Sequence, residues 1–230
     1  MICSYLSNTG LLGKPNEFFN PRVVVAGGYG KKHSVGQPIS MSGYIDWLKN
    51  NWTTKNKMFG AKILFEDFNS HKHLLPFQDL MLSARVILLE RRSKLKQAIS
   101  YYFAEKTGQW IDSDAAIMLP EKVPFDYGRI HQILTRLVDQ DTRWKVFLEA
   151  SRIPCLHLIF EDFVKDPRQG IKEIMAYLDV PDQEIRVEAK LAEQKHPAKA
   201  MFFDQFAETG LSSYFTPLEG ITYAGVDFAQ

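Results

Sequence analysis

The spacing of hydrophobic residues predicts several helices along the chain. Ile2 and Leu6 share one face of a first helix, which ends before Gly10, a residue suited to a left-handed helix stop. The same spacing predicts helices in 42–52, with Ser42 as a candidate cap, after residue 92, in 127–150 and in 167–178. An Asp-Pro pair at 166–167 supplies the cap and the first position of the last helix.

Short apolar runs between these helices predict strands. They are "KILF" at 62–65, "RVILLE" at 85–90 and "CLHLIF" at 155–160, and a β-branched run, "RVVV", stands at 22–25. Strands that alternate with helices indicate an α/β protein with a mostly parallel sheet. In such folds ligands bind at the carboxyl ends of the strands, so the residues that follow each strand are the first candidates for a site.

The chain is predicted to form a single domain over 1–230. Its 230 residues include 45% hydrophobic residues, enough for a sizeable core. No internal repeat or low-complexity linker divides it. Residues from about 207 to 230 are expected to form a looser C-terminal tail.

The charge balance restricts the class of partner. Twenty-eight Lys and Arg against 27 Asp and Glu give a net charge of +1, which argues against a general nucleic-acid or membrane-surface binder. Five basic residues and one Glu between Arg85 and Lys96 suit a compact polyanion, although a solvated basic helix face explains them equally well. Two cysteines favour a reduced, cytoplasmic protein, and no apolar run approaches the roughly 20 residues that span a bilayer.

An arginine at the end of a predicted strand is a candidate phosphate ligand. "RVILLE" runs into Arg91 and Arg92, and the predicted helix that follows carries Ser100. A guanidinium group can hold two phosphate oxygens, and a serine hydroxyl supplies a further donor. The alternative is a surface arginine pair and a serine that bonds its own helix backbone.

Two other charged residues are candidates for chemistry. Glu17 precedes two aromatic residues that would exclude water if buried, and a shielded carboxylate suits general-base catalysis. Lys62 begins the strand predicted over 62–65, which Glu66 and Asp67 follow. The ordinary alternatives are a loop or cap role for Glu17 and a snorkelling or paired lysine at 62.

Two further patterns carry less weight. "VVVAGGYGKK" has the composition of a phosphate-binding loop, but it fits neither GxxxxGK[ST] nor GxGxxG, so a flexible glycine-rich hairpin is favoured. His71 and His73 have the spacing of a metal pair, yet no third ligand accompanies them. We therefore predict no metal site.

Six segments carry a family resemblance. "ARVILLERRSKLKQAISYYFA" resembles the strand–Arg–helix–Ser segment of sulfotransferases that use 3′-phosphoadenosine 5′-phosphosulfate, and "IFEDFVKDP" resembles their "YEDL..DP" segment. More closely, four segments are similar in order and spacing to the bacterial trehalose 2-sulfotransferase type: "TGLLGKPNEFFN", "SGYIDWL", "FGAKILF" and "LAEQKHPAKAMFFDQF". The resemblance extends from Met1 to about Phe206.

The resemblance implies a fold, a reaction and a set of site residues. The fold is the three-layer sulfotransferase fold, which is similar to that of P-loop NTPases. The implied donor is 3′-phosphoadenosine 5′-phosphosulfate, and the implied acceptor is a carbohydrate hydroxyl of a trehalose-like sugar, a glycolipid or a polysaccharide. In these roles Glu17 is the catalytic base, Lys62 supports the reaction centre, and Arg91 and Ser100 bind the 3′-phosphate of the nucleotide. A homodimer is expected from the family.

One departure from the family leaves alternatives open. "MICSYL" resembles the helix that follows the family's phosphosulfate loop, so the first strand and that loop are expected to be missing from this chain. An inactive sulfotransferase homologue is therefore one alternative. A nucleotide-dependent phosphoryl-transfer enzyme, with Glu66 and Asp67 as magnesium ligands, is a second, and a non-enzymatic interaction module is a third.

Overall fold

The computed structural model describes residues 2–25, 40–110, 115–181 and 196–215. Its elements within these ranges are α1 (Ile2–Asn8), α2 (Pro21–Val25), α3 (Met41–Asn51), α4 (Phe65–His71), α5 (Leu75–Leu82), β1 (Val86–Glu90), α6 (Lys94–Thr107), a 3-10 turn (Pro120–Lys122), α7 (Tyr127–Ser151), β2 (Cys155–Ile159), α8 (Phe160–Lys165), α9 (Pro167–Tyr177) and α10 (Pro197–Phe215). No helix in these ranges combines the length and the apolar character needed to cross a membrane.

A small parallel sheet lies among these helices. β1 pairs with β2 in a register that runs from Val86 opposite Cys155 to Glu90 opposite Ile159. The two strands therefore end at the same edge, where Arg91 follows β1 and Phe160 opens α8. The predicted α/β class is confirmed, and the described residues are mostly helical with a small parallel sheet.

Among the described residues, three hydrophobic clusters hold the elements together. The first joins α6, α7 and α10, where Tyr102, Ile130 and Ile133 are almost fully buried. The second joins the two strands to α1 and α9. The third, which we call the aromatic cluster, packs the loop after α1 against α3, α4, α5 and α7, and its rings include Phe18, Phe19, Phe68, Phe77, Trp144 and Phe147.

The start of α9 and the end of α1 agree with the prediction from the sequence, whereas the cap of α3 differs from it. Asp166 accepts a hydrogen bond from the N–H of Gln169 at 3.0 Å, and Pro167 opens α9, as predicted. Gly10 has a φ of +69° just after α1, as its role in a helix stop requires. The cap of α3 is Ser40 rather than Ser42, because the Ser40 hydroxyl accepts the N–H of Gly43 at 3.2 Å.

The prediction of a strand over 62–65 is wrong. Leu64 is the cap residue of α4, and Phe65 is its first residue. The carboxylate of Asp67 accepts the N–H of Leu64 at 3.2 Å, and acidic residues in a first turn stabilise a helix. The capping signal in "FED" therefore outweighs the apolar run before it.

The β-branched run at 22–25 is also helical where it is described. Val23 and Val24 donate their N–H groups to the carbonyl of Asn20 at 2.8 and 3.0 Å, and Pro21 takes the first helical position of α2. The glycine-rich part of the proposed hairpin lies within 26–39, outside the described residues. Of the tail expected from about 207, the part up to 215 belongs to α10 and the rest lies outside the described residues.

Candidate active site

A close backbone approach holds the loop after α1 against the segment before α4. Gly13 has a φ of +77°, and a Cβ atom at this position would lie 2.9 Å from the backbone nitrogen of Gly60. Glycine is the residue that tolerates both conditions. Two residues further along the second segment, the N–H of Lys62 donates to the carbonyl of Asn16 at 2.9 Å. These contacts bring Glu17 and Lys62 side by side.

Glu17 and Lys62 form an ion pair, with 2.5 Å between Lys62 Nζ and Glu17 Oε1. The loop is anchored by Phe18 and Phe19, which are fully buried in the aromatic cluster. The Glu17 side chain itself keeps 34% of its surface exposed, so the two aromatic residues shield the backbone rather than the carboxylate. A carboxylate that is fixed by a lysine and open on one side can take a proton from a bound hydroxyl.

Helix α1 connects this ion pair with the sheet. Leu6 packs in the second cluster with Leu158 of β2. On the same helix, burial raises the pKa of the Cys3 thiol, while the nearby charge of Lys62 lowers it and that of Glu17 raises it. Cys3 therefore lies close enough to feel both charges, and its thiol stays protonated near neutral pH.

Glu66 and Asp67 turn to different partners. Asp67 is almost fully buried beneath the start of α4, and burial raises the pKa of its carboxyl. Glu66 accepts a hydrogen bond from Gln140 at 2.9 Å and pairs with Arg136 at 3.5 Å. The two carboxylates therefore do not converge on one point as magnesium ligands would. In the described part of the chain, no three or more His, Cys, Asp or Glu side chains gather as metal ligands.

The residues that follow β1 and β2 contact one another. Arg92 donates two hydrogen bonds to the carboxylate of Asp162, at 2.9 and 2.7 Å, and its N–H donates to Glu161 at 3.0 Å. The guanidinium carbon of Arg91 lies 4.0 Å from the centre of the Phe160 ring. The two neighbouring arginines thus have different environments, one beside carboxylates and the other over an aromatic ring.

The Glu161 carboxylate at this edge favours its ionised form. Burial raises the pKa of Glu161, but the N–H of Arg92 and the charges of Arg91 and Arg92 outweigh it, so that this pKa lies below its ordinary value. Glu161 therefore lies near both arginines, and the carboxylate of Asp162 pairs with Arg92.

Ser100 lies in α6, on the strand–helix unit that also carries Arg91. The helix begins at Lys94, and the hydroxyl of Ser93 caps it by accepting the N–H of Lys96 at 3.3 Å. Ser100 is half-buried, six residues into this helix, or about 9 Å along its axis. Arg91 and Ser100 are therefore positioned by one rigid unit.

The sequence does not show which side chains give Arg91 and Arg92 their different environments. Phe160 and Asp162 come from α8, 69 or more residues away from the arginines. One feature of the sequence does indicate this contact. Both segments follow strands of a predicted parallel sheet, and the residues after two paired parallel strands meet at one edge. The small residues Gly60 and Ala61 indicate a close backbone approach before Lys62, but the sequence does not show that Gly13 is the partner.

Comparison with known families places all these residues in one matched region. The family model described as Stf0 sulphotransferase matches residues 1–208 of the chain. A comparison with curated proteins finds no match. The matched region includes both strands, the ion pair of Glu17 with Lys62, and the Arg91–Ser100 unit.

Proposed function

The chain belongs to the Stf0 sulphotransferase family, and we propose that it transfers a sulfuryl group from 3′-phosphoadenosine 5′-phosphosulfate to a carbohydrate hydroxyl. The family match over residues 1–208 carries this proposal. The Glu17–Lys62 pair and the arginine after β1 support it, because the reaction needs a proton acceptor and an anchor for a polyanionic donor. The acceptor is a trehalose-like sugar, a glycolipid or a polysaccharide.

In the proposed reaction the acceptor hydroxyl oxygen forms a bond to sulfur. The bond between sulfur and the bridging phosphate oxygen breaks, and its electron pair leaves with adenosine 3′,5′-bisphosphate. Glu17 takes the hydroxyl proton, a contribution of roughly 10²–10⁴ in rate. Lys62 supports this step by holding Glu17 Oε1, which leaves Oε2 to receive the proton.

Arg91 and Ser100 anchor the 3′-phosphate of the nucleotide in this proposal. The Phe160 ring supports one face of the Arg91 guanidinium, which limits its rotation. A planar donor that is held in place loses less entropy when it binds a phosphate. Ser100 supplies a hydroxyl donor from the helix that follows.

The phosphoryl-transfer alternative has less support. It relied on Glu66 and Asp67 as a magnesium pair, and these carboxylates turn to different partners. The low cysteine count and the family resemblance support two further parts of the proposal, a cytoplasmic location and a homodimer.

Calorimetric titration with adenosine 3′,5′-bisphosphate tests the donor assignment. The wild-type protein should bind this nucleotide more tightly than ATP with Mg²⁺. Arg91→Ala should weaken binding by about 1.5–3 kcal/mol, the range for a hydrogen bond to a charged group. Arg92→Ala is the matched control and should weaken it less, because Asp162 already pairs with Arg92.

Two results would count against the donor assignment. One is failure of the wild-type protein to bind adenosine 3′,5′-bisphosphate, and the other is an equal loss in both arginine variants. Nucleotide binding without transfer to trehalose or another sugar would instead favour the inactive-homologue alternative.

A further inference from the structure

Asp67 is a buried carboxylate that the proposed reaction does not use. It is the third residue of α4 and keeps 3% of its surface exposed, and no other acidic side chain among the described residues is buried to this degree. A buried carboxylate is costly unless hydrogen bonds compensate it. Asp126 and Asp166 accept N–H groups at the starts of α7 and α9 and remain exposed, so capping a helix does not by itself require burial. Burial therefore distinguishes Asp67 from these two capping residues.

Two hydrogen bonds hold the segment that carries Lys62. The N–H of Lys62 donates to the carbonyl of Asn16 at 2.9 Å, and the N–H of Leu64 donates to the carboxylate of Asp67 at 3.2 Å. The first bond ties the segment to the loop that carries Glu17, and the second ties it to α4. Because Leu64 follows Lys62 by only two residues, Asp67 fixes the backbone directly after Lys62.

Helix α4 also contacts the loop on the other side of the ion pair. His71, in its last turn, is buried, and its ring packs edge-on against Phe19 with 6.4 Å between ring centres. Phe19 follows Glu17 by two residues and is fully buried in the aromatic cluster. The Nδ1 atom of His71 lies 2.8 Å from the carbonyl oxygen of Asp67. The helix therefore contacts the Lys62 segment at its start and the Glu17 loop at its end.

The charge of Asp67 lies within reach of Glu17. Burial raises the pKa of the Asp67 carboxyl, the N–H of Leu64 lowers it, and the nearby charges of Glu17 and Glu66 raise it further. This carboxyl therefore lies close to the ion pair as well as beneath the start of α4.

We propose that Asp67 is a positioning residue that holds Lys62 beside Glu17. This inference rests on the proposed function, because Lys62 and Glu17 serve the proton transfer of that reaction. The bond from Leu64 to Asp67 fixes the path of the chain after Lys62, whose side chain holds Glu17 Oε1. Without this bond, Lys62 and the carboxylate that it holds would shift together. A misplacement of about 1 Å can cost as much as 10²-fold in rate.

Removal of the Asp67 carboxylate tests this role against simple helix capping. Asp67→Ala should lower turnover, measured with trehalose as acceptor, by about ten- to a hundredfold and leave the dissociation constant for adenosine 3′,5′-bisphosphate unchanged. Asp67→Asn keeps an oxygen that can accept the N–H of Leu64 and should recover most of the lost turnover. Asp166→Ala is the matched control. It removes a bond of the same kind, in which the carboxylate accepts the N–H of Gln169 at 3.0 Å, and should turn over as the wild type does.

Amide hydrogen exchange gives a second readout, which does not depend on activity. The N–H of Lys62 should exchange faster in Asp67→Ala than in the wild type, and Asp166→Ala should leave this exchange unchanged. Leu64→Pro removes the N–H donor and keeps Asp67, at a φ of −81° that is close to the range of proline. This variant should reproduce both effects, and it carries the test if Asp67→Ala does not fold.

A double variant shows whether Asp67 acts through Lys62. Lys62→Met already lacks the ion pair, so adding Asp67→Ala should lower its turnover little further, because both changes act on one interaction. A full second loss of turnover would show that Asp67 acts by another route and would overturn the inference.

Three other results would also overturn the inference. They are equal turnover in Asp67→Ala and Asp166→Ala, unchanged exchange of the Lys62 N–H in Asp67→Ala, and turnover in Asp67→Asn as low as in Asp67→Ala. Failure of the proposed function would give a different result. If the wild-type protein transfers no sulfuryl group while the exchange at Lys62 still depends on Asp67, the positioning of Lys62 stands and the proposed reaction fails.

Discussion

Replacing Gly13 with alanine should destabilise the protein more than the same change at Gly10. Both glycines have a left-handed backbone, with φ of +77° and +69°. Their surroundings differ, because a Cβ atom at Gly13 would lie 2.9 Å from the backbone nitrogen of Gly60, whereas one at Gly10 would have no atom within 4 Å. Gly10→Ala therefore measures the backbone strain alone, and Gly13→Ala adds a steric contact.

The two variants differ by a predictable free energy of unfolding. A left-handed backbone costs a residue with a Cβ atom about 1–2 kcal/mol, which is the loss expected for Gly10→Ala. Overpacking against a backbone adds about 1–3 kcal/mol, so Gly13→Ala should lose roughly 2–5 kcal/mol. One kcal/mol lowers the melting temperature of a domain of this size by about 2–4 °C.

Thermal unfolding followed by circular dichroism measures this difference. Gly10→Ala should melt roughly 2–8 °C below the wild type, and Gly13→Ala about twice as far below it. At temperatures below both melting transitions, Gly13→Ala should also have a lower turnover rate than Gly10→Ala. The reason is that the approach of Gly13 to Gly60 positions Glu17 beside Lys62. Equal melting temperatures in the two variants would refute the argument, since the loop would then move away from Gly60 at no cost.

Two further predictions concern carboxylates. Glu17→Gln should keep the affinity for adenosine 3′,5′-bisphosphate and lower turnover by roughly 10²–10⁴, measured as release of this nucleotide from the donor with trehalose present. Unchanged turnover would remove Glu17 from the mechanism. A hydrogen bond from Lys145, with a second from His157, holds the pKa of Glu90 below its ordinary value. Such a group stabilises the folded protein above its unfolded pKa, and this contribution is lost as the pH falls through the folded pKa. The free energy of unfolding, measured in urea, should therefore fall less steeply with decreasing pH in Glu90→Gln than in the wild type. Parallel curves of this free energy against pH for the two proteins would contradict the prediction.

Elements with local capping signals could be predicted from the sequence. The bounds of α7 and α9 agree with the prediction because each starts at an aspartate cap, and for α9 a proline follows that cap. The strand predicted over 62–65 did not form, because an apolar run of four residues fits a strand or the approach to a helix. The capping signal that follows the run, in which the carboxylate of Asp67 accepts the N–H of Leu64, favours the helix.

The residue types of the candidate site could be predicted from the sequence, but the contacts between these residues could not. The sequence indicates that one arginine after a strand can bind a phosphate, but nothing local distinguishes Arg91 from Arg92. That distinction arises from α8, where Asp162 takes one guanidinium and Phe160 contacts the other. Long-range contacts of this kind depend on the sheet register, which brings the ends of β1 and β2 together.

Helix α1 packs against α8 and lies near the ion pair of Glu17 with Lys62. Its Tyr5 ring packs edge-on against Phe163 of α8 at 5.5 Å, and α8 contacts both arginines. Two residues earlier, Cys3 lies within reach of the charges of Glu17 and Lys62. In-line transfer depends on the alignment of acceptor, sulfur and leaving oxygen, and small misplacements are costly. We therefore expect the alignment of Glu17 with Arg91 to depend on the hydrophobic packing of α1, a helix that contributes no charged side chain of its own.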